Sequence, residues 1–164
     1  AREHVIRRLL NTGPFYAGTG PTYERFDHGI HVDVPHQPGT YLYALTKSLG
    51  QEICTVMAPD QDSYVMDLLF YMFVDAETDK AESGSPIANL GRDLVPYTVS
   101  WRDAADAFRL AMEVDLESLA SRSEVFFVFP DLPHQKFLND KVKRVLGWEA
   151  RDTLEQFWRK KATS

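Results

Sequence analysis

Two apolar runs constrain this chain more than any other feature. "YVMDLLFYMF" fills positions 64–73 and "EVFFVF" fills 124–129, with hardly an alternating polar residue. Successive side chains of a strand point to opposite faces, so a strand with one wet face alternates apolar and polar residues. A strand covered on both faces does not, and near-continuous runs suit a parallel sheet enclosed by helices. The intervening segments supply the helices. Between 41 and 57, Leu42, Leu45, Leu49, Ile53 and Val56 recur at helical spacing and predict a helix that buries this stripe, with Pro59 as its stop. Between 103 and 114, Phe108, Leu110, Ala111 and Val114 supply a second apolar face. Ser100 followed by Asp103 resembles a capping box, and Asp103 reads as a charge favoured at a helix N-terminus. A third strand is expected over Val5–Asn11, a loop over 75–86, and short helices over 137–146 and 153–158. Trp101, Trp148 and Trp158 read as core anchors. Strands alternating with helices give an α/β fold with a parallel sheet. Three main strands alone make a poor sheet. Together with a chain that opens on Ala1 almost at a strand, this predicts a piece of a longer protein.

Composition narrows the function. The 164 residues suffice for one domain with a core, and 44% hydrophobic with 26% charged residues is ordinary for a globular chain. The net charge of −6 gives no general attraction to nucleic acid or anionic membrane. The longest apolar run, Leu68–Val74, is too short to span a bilayer. Cys54 is the single cysteine, so no internal disulfide forms, which fits a reducing compartment. The expected location is cytoplasmic.

The stretch Thr12–Pro38 is rich in Gly, Pro, Asp and His and reads as a long loop, a type that is usually functional or mobile. In its "DHGIHVD", His28, His31 and Asp33 have the short spacing of metal ligands. No cysteine accompanies them and no helix sets their direction, which favours solvated or substrate-facing loop residues, with no metal.

Within the first helix, Tyr43 stands four residues before Lys47. Residues so spaced share one helix face. A lone Tyr-x-x-x-Lys is weak evidence, because plain packing often produces it. The chemistry gives it interest. A free phenol has a pKa of about 10, and proton exchange with an alcohol or ketone near neutral pH works best if that falls by roughly 2–3 units. One ammonium at ~4 Å supplies about that much at an effective dielectric of 20. Lys47 is the kind of partner an activated Tyr43 needs.

Four stretches lift the pair above chance. "RRLLNTGPFYAG" resembles a strand ending in a catalytic serine or threonine, followed by an aromatic and a glycine-containing turn. "DVPHQPGTYLYALTKSLGQE" is similar to an acidic, proline-rich approach to a catalytic helix. "YTVSWRDAADAFRLAME" looks like a valine-rich strand, an aspartate and an alanine-rich helix, and "KVKRVLGWEARDTLEQFW" like a Leu-Gly-Trp motif with a closing helix. In this order they resemble the NAD-dependent epimerase/dehydratase branch of the extended short-chain dehydrogenase/reductase superfamily. The resemblance implies a partial Rossmann-like parallel sheet with flanking helices and a small C-terminal substrate-domain portion. By it, residues 1–75 form the remaining Rossmann-like part with Tyr43 and Lys47. Residues 76–164 form mainly the substrate-binding part, with a sheet strand near 124–129. It makes Tyr43 the general acid/base. Lys47 lowers the tyrosine's pKa and hydrogen-bonds the nicotinamide ribose of NAD or NADP. Thr12, four residues before Tyr16, holds the substrate oxygen, and Tyr16 also falls to the substrate site. The implied substrate is a small molecule, a nucleotide-linked sugar by default, and a homodimer of the complete protein is plausible by the same resemblance.

The chain departs from the family's pattern in three places. The glycine-rich turn that cradles a dinucleotide's pyrophosphate at a helix N-terminus is missing. Gly18-Thr-Gly20 follows Thr12 and opens no expected helix, so the dinucleotide site is expected mostly outside this chain. "DLLFYMFVDAE" lacks the Arg, Asn and Gly-Pro turn that shape the family's substrate pocket. Gln51 stands where a glutamate usually follows the lysine by four. Two functions compete: an NAD(P)-dependent epimerase/dehydratase or reductase part, inactive alone, and a non-catalytic binding or scaffold protein with the same fold. Thr12, Tyr43 and Lys47 together favour the enzyme.

Overall fold

The computed structural model describes residues 6–14, 31–33, 38, 41–78, 80–81, 84, 98–131 and 137–154. The first long apolar run does form a strand buried along its whole length, β2 (Tyr64–Phe70). It pairs in parallel with β1 (Arg8–Pro14) on one side and β6 (Ser123–Phe127) on the other, in the order β1-β2-β6. β1 is an edge strand among the described residues, and it begins later and ends later than expected. The run does not continue as one strand. It breaks at Tyr71, and β3 (Met72–Asp75) enters a second small sheet. There β3 pairs antiparallel with β4 (Lys80–Ala81) and in parallel with β5 (Thr98–Ser100). Part of the segment expected to be loop is therefore the β3–β4 hairpin.

Helix α1 (Leu42–Asp60) crosses from β1 to β2 and passes through Pro59. So near the helix end the proline removes only one donor, and the amide of Gln61 still reaches the Met57 carbonyl at 2.9 Å. The expected buried stripe is overturned. Leu42, Leu45, Leu49, Ile53 and Val56 all face outward, Val56 at 69% exposure. The face on the sheet is Ala44, Ser48, Gln51 and Ala58. Small side chains let the helix lie close to the strands, and the large ones are left on the outside.

Helix α2 (Trp101–Glu113) covers the other face of the main sheet, with Ala104, Ala107 and Ala111 buried. The core joins them to Met66, Leu68 and Phe70 of β2, Phe126 and Val128, and Val142 and Leu146 of helix α3 (Asp140–Leu146). The Ser100 hydroxyl accepts from the Asp103 amide at 3.1 Å and caps α2 as expected. The reciprocal half of the box is absent, because Asp103 has other work. Its buried carboxylate accepts from the amides of Arg151 and Asp152, at 2.9–3.1 Å. Its carbonyl accepts from the Trp148 indole at 2.9 Å. Gly147 makes the turn into Trp148 with φ 67°, a left-handed conformation that favours glycine at a helix C-terminus.

Of the three tryptophans, Trp148 is fully buried and Trp101 is 47% exposed. Trp101 lies flat on Phe73, ring centroids 4.5 Å apart, as a surface cover. Trp158 lies outside the described residues. Thr153 and Leu154 are not helical, and the remainder of that expected helix also lies outside.

Candidate active site

α1 runs antiparallel to the strands. Gln51 lies under Gly13 at the end of β1, and the Thr55 hydroxyl lies 3.1 Å from that of Ser123 at the start of β6. Tyr43, two turns before Gln51 and so ~12 Å along the axis, projects past the C-terminal ends of the strands. That edge is where ligands bind in open parallel α/β sheets. The small buried face of α1 lets the helix approach the sheet and sets its N-terminal turns at this edge.

Tyr43 and Lys47 are brought together. The Lys47 ammonium stands over the Tyr43 ring, 5.8 Å from its centroid, within cation–π range. Tyr43 is 44% exposed and Lys47 is half-buried, so the pair is open to a small molecule. Tyr41 stacks against Tyr43 at a tilt, centroids 6.1 Å apart.

Thr12 is exposed near the tip of β1. Strand alternation turns Asn11 and Gly13 toward α1, where Asn11 donates to the buried Asp67 carboxylate. Leu10 and Thr12 face the opposite side, and Leu10 packs on the α2 core. Tyr16 and His28 lie outside the described residues. His31 is exposed, and Asp33 is held by Lys141, whose ammonium bonds Asp33 at 2.7 Å and the buried Glu124 at 2.9 Å. Among the described residues no group of three or more His, Cys, Asp or Glu could hold a metal ion. Also among them, no helix is long and apolar enough to cross a membrane. Burial raises the Cys54 thiol pKa, and the Asp67 carboxylate adds to the shift, so the thiol is not an activated nucleophile.

Asp67 escaped the sequence reading, and Gln51 was noted there only as a departure from the resembled family's pattern, not as a buried residue. Asp67 is the one charge inside a strand buried on both faces, a signal visible in "YVMDLLF". Gln51 is 2% exposed, and neither polar atom of its amide has a partner among the described residues. Its signal was the stripe Ala44, Ser48, Gln51, Thr55 and Ala58, at helical spacing but built of small and polar residues.

No protein-family model and no curated protein matches the sequence. Solved structures match throughout most of the chain. Against a mutated uronate dehydrogenase the TM-score is 0.64 at 18% identity, covering 96% of this chain and 50% of that one. Against a short-chain dehydrogenase/reductase superfamily protein from Agrobacterium tumefaciens, solved with bound NAD, it is 0.64 at 15% identity, covering 93% and 66%. Against a UDP-glucuronic acid 4-epimerase from Bacillus cereus, solved in complex with NAD, it is 0.63 at 11%, covering 88% and 56%. The chain thus spans about half the length of the uronate dehydrogenase it matches. Its strands and helices are arranged in the short-chain dehydrogenase/reductase fold.

Proposed function

We propose that this chain is the catalytic and substrate-binding part of an NAD(P)-dependent epimerase/dehydratase or reductase. The proposed substrate is a nucleotide-linked sugar or a related hydroxyl or keto compound. The observation that carries the reading is the half-exposed Tyr43 beneath the Lys47 ammonium at the C-terminal edge of a parallel sheet. The likeness to NAD-bound epimerase and dehydrogenase structures supports it.

In this reading Tyr43 gives a proton to the substrate oxygen or takes one from it. The ammonium of Lys47 holds the ribose of the dinucleotide. Thr12 and Tyr16 contact the substrate. The open face around Tyr43 and Lys47 fits the nicotinamide end of NAD or NADP, whereas the sequence holds no glycine-rich turn for the pyrophosphate. When bound, the cofactor supplies the hydride acceptor and donor. By this reading residues 1–75 carry the acid–base pair and 76–164 mainly the substrate contacts. The exposed leucine face of α1 supports a homodimer of the complete protein.

The test is steady-state kinetics of the full protein with nucleotide sugars, from neutral to alkaline pH. Tyr43→Phe keeps the ring and removes the proton carrier, so kcat should fall by about 10²–10⁴-fold with folding unchanged. Lys47→Ala should lower kcat and also weaken dinucleotide binding. Near-normal kcat in Tyr43→Phe makes the tyrosine structural and hands the case to the scaffold reading. Turnover of simple alcohols or ketones but of no nucleotide sugar keeps the acid–base pair and removes the substrate class.

A further inference from the structure

We infer that Lys141 is a clasp. Its ammonium fastens the connection between β1 and α1, at Asp33, to the α2 face of the sheet, through a bond that opens without unfolding the chain. The clasp itself does not depend on the oxidoreductase or epimerase reading above, whereas its kinetic consequence does.

The cluster has three members and two kinds of bond. Glu124 of β6 is buried, with 6% of its side chain exposed. One of its carboxylate oxygens accepts from the Ser121 amide at 2.8 Å and the other from the Lys141 ammonium at 2.9 Å. The ammonium also stands 5.6 Å from the centroid of the Phe126 ring. Breaking this lower bond leaves a charge buried without its partner, which fixes Lys141 in place. The upper bond differs. The same ammonium reaches Asp33 at 2.7 Å, and 67% of the Asp33 side chain is exposed. Once released, that carboxylate returns to water, and exposed pairs of this kind shift an equilibrium by no more than about fivefold. Lys141 thus stays on Glu124 whether or not Asp33 is bound. Among the described residues, no other hydrogen bond or ion pair holds residues 31–33.

The place of the bond gives it consequence. Glu124 and Phe126, two apart on β6, project to one face, and Phe126 belongs to the core shared with α2 and α3. α1 begins at Leu42 on the opposite face. The chain therefore changes faces between Asp33 and Leu42, the residue before Tyr43. One lysine joins the part of the chain that carries Thr12 and Tyr43 to the part assigned to the substrate.

Two experiments on this chain decide the clasp. Carbodiimide activates an exposed carboxylate, and a lysine amine in contact with it displaces the urea and forms an amide. Peptide mass mapping should find Asp33 joined to Lys141 in the wild type. The exposed Asp131, 2.5 Å from the Lys143 ammonium, is the control for the coupling. A link from Asp131 to Lys143 without one from Asp33 to Lys141 overturns the inference. The second experiment is urea unfolding. Asp33→Asn should change the unfolding equilibrium by less than about fivefold. Lys141→Met should change it by at least about a hundredfold, because Glu124 is left charged in the interior, and adding Glu124→Gln should recover part of that loss. Equal effects of Asp33→Asn and Lys141→Met overturn the distinction between a fixed and an opening bond. In the full protein, Asp33→Asn should raise the KM for a nucleotide sugar about two- to fivefold, with kcat within about twofold of wild type. An unchanged KM overturns the link between clasp and site. A wild type without turnover removes the enzyme reading and leaves coupling and unfolding to decide the clasp.

Discussion

α1 and α2 cover opposite faces of one sheet, yet they are built on opposite plans. α2 has a side-chain cap at Ser100, an acidic residue in its first turn and a buried alanine face joined to the main core. Its last carbonyls are tied down by Arg8 of β1, whose guanidinium donates to Ala111 at 3.1 Å and to Val114 at 2.6 Å. α1 has no side-chain cap, no acidic residue in its first turn and no basic residue in its last. Its large apolar residues point away from the sheet. α2 is specified by its own sequence and its own sheet. α1 follows its local propensity less completely, and it carries both the proposed acid–base pair and the exposed face. Local rules are most often broken where a chain serves something beyond its own stability.

The widest expected gap between the helices comes from one kind of change made in each. Ala107→Asp places a carboxylate in a fully buried contact between α2 and the sheet, with no partner for it. It should cost about 3–5 kcal/mol, enough to abolish a cooperative urea transition. Val56→Asp, on the outer face of α1 at 69% exposure, should move the transition by less than about 0.5 kcal/mol in the monomer. Similar losses at both sites would mean that the outer face of α1 is covered, and the comparison would fail.

The ends of α2 come next. Arg8→Met keeps the bulk of the side chain and removes both hydrogen bonds to the helix C-terminus. A loss of about 1–2 kcal/mol in chemical denaturation is expected, from those bonds and the charge facing the helix dipole. Ser100→Ala should cost about 1 kcal/mol by freeing the Asp103 amide. If neither change moves the midpoint, α2 owes its stability to its alanine face alone.

The same contrast marks what could be read before the structure. The parallel sheet was legible because Tyr64–Phe70 contains no wet position: burial on both faces leaves that pattern and little else does. The break at Tyr71 was not, because the run stays apolar across two strands that belong to different sheets. α2 was legible in its cap and its face. The orientation of α1 was not, since a leucine stripe shows that a face is destined for burial without showing against what. The reading gave the stripe to the sheet, and the sheet took alanine, serine and glutamine. The Tyr43–Lys47 contact followed from the four-residue spacing alone. The hidden carboxylate of Asp103 did not, because its partners, Arg151 and Asp152, lie far along the chain and bind through backbone amides that carry no sequence signature.

The smallest effect on folding should come from the outer face of α1 itself, and it bears most directly on the proposed homodimer. Leu49 is 52% exposed and Ile53 62%, and they lie one turn apart at the middle of the stripe. Leu49→Ser with Ile53→Ser removes little burial from the folded chain, so at low protein concentration the urea midpoint should stay within about 0.5 kcal/mol per site. If the stripe is a self-contact, it packs against the same stripe on a second copy, as a two-fold interface requires, and each lost side chain is lost twice. Sedimentation velocity of the full protein should then show a dimer for the wild type and a monomer for the double variant, with the folding midpoint nearly fixed. A wild type that remains monomeric over the same concentrations removes the homodimer. A dimer that survives both substitutions places its contact elsewhere and leaves the leucine face of α1 to another occupant.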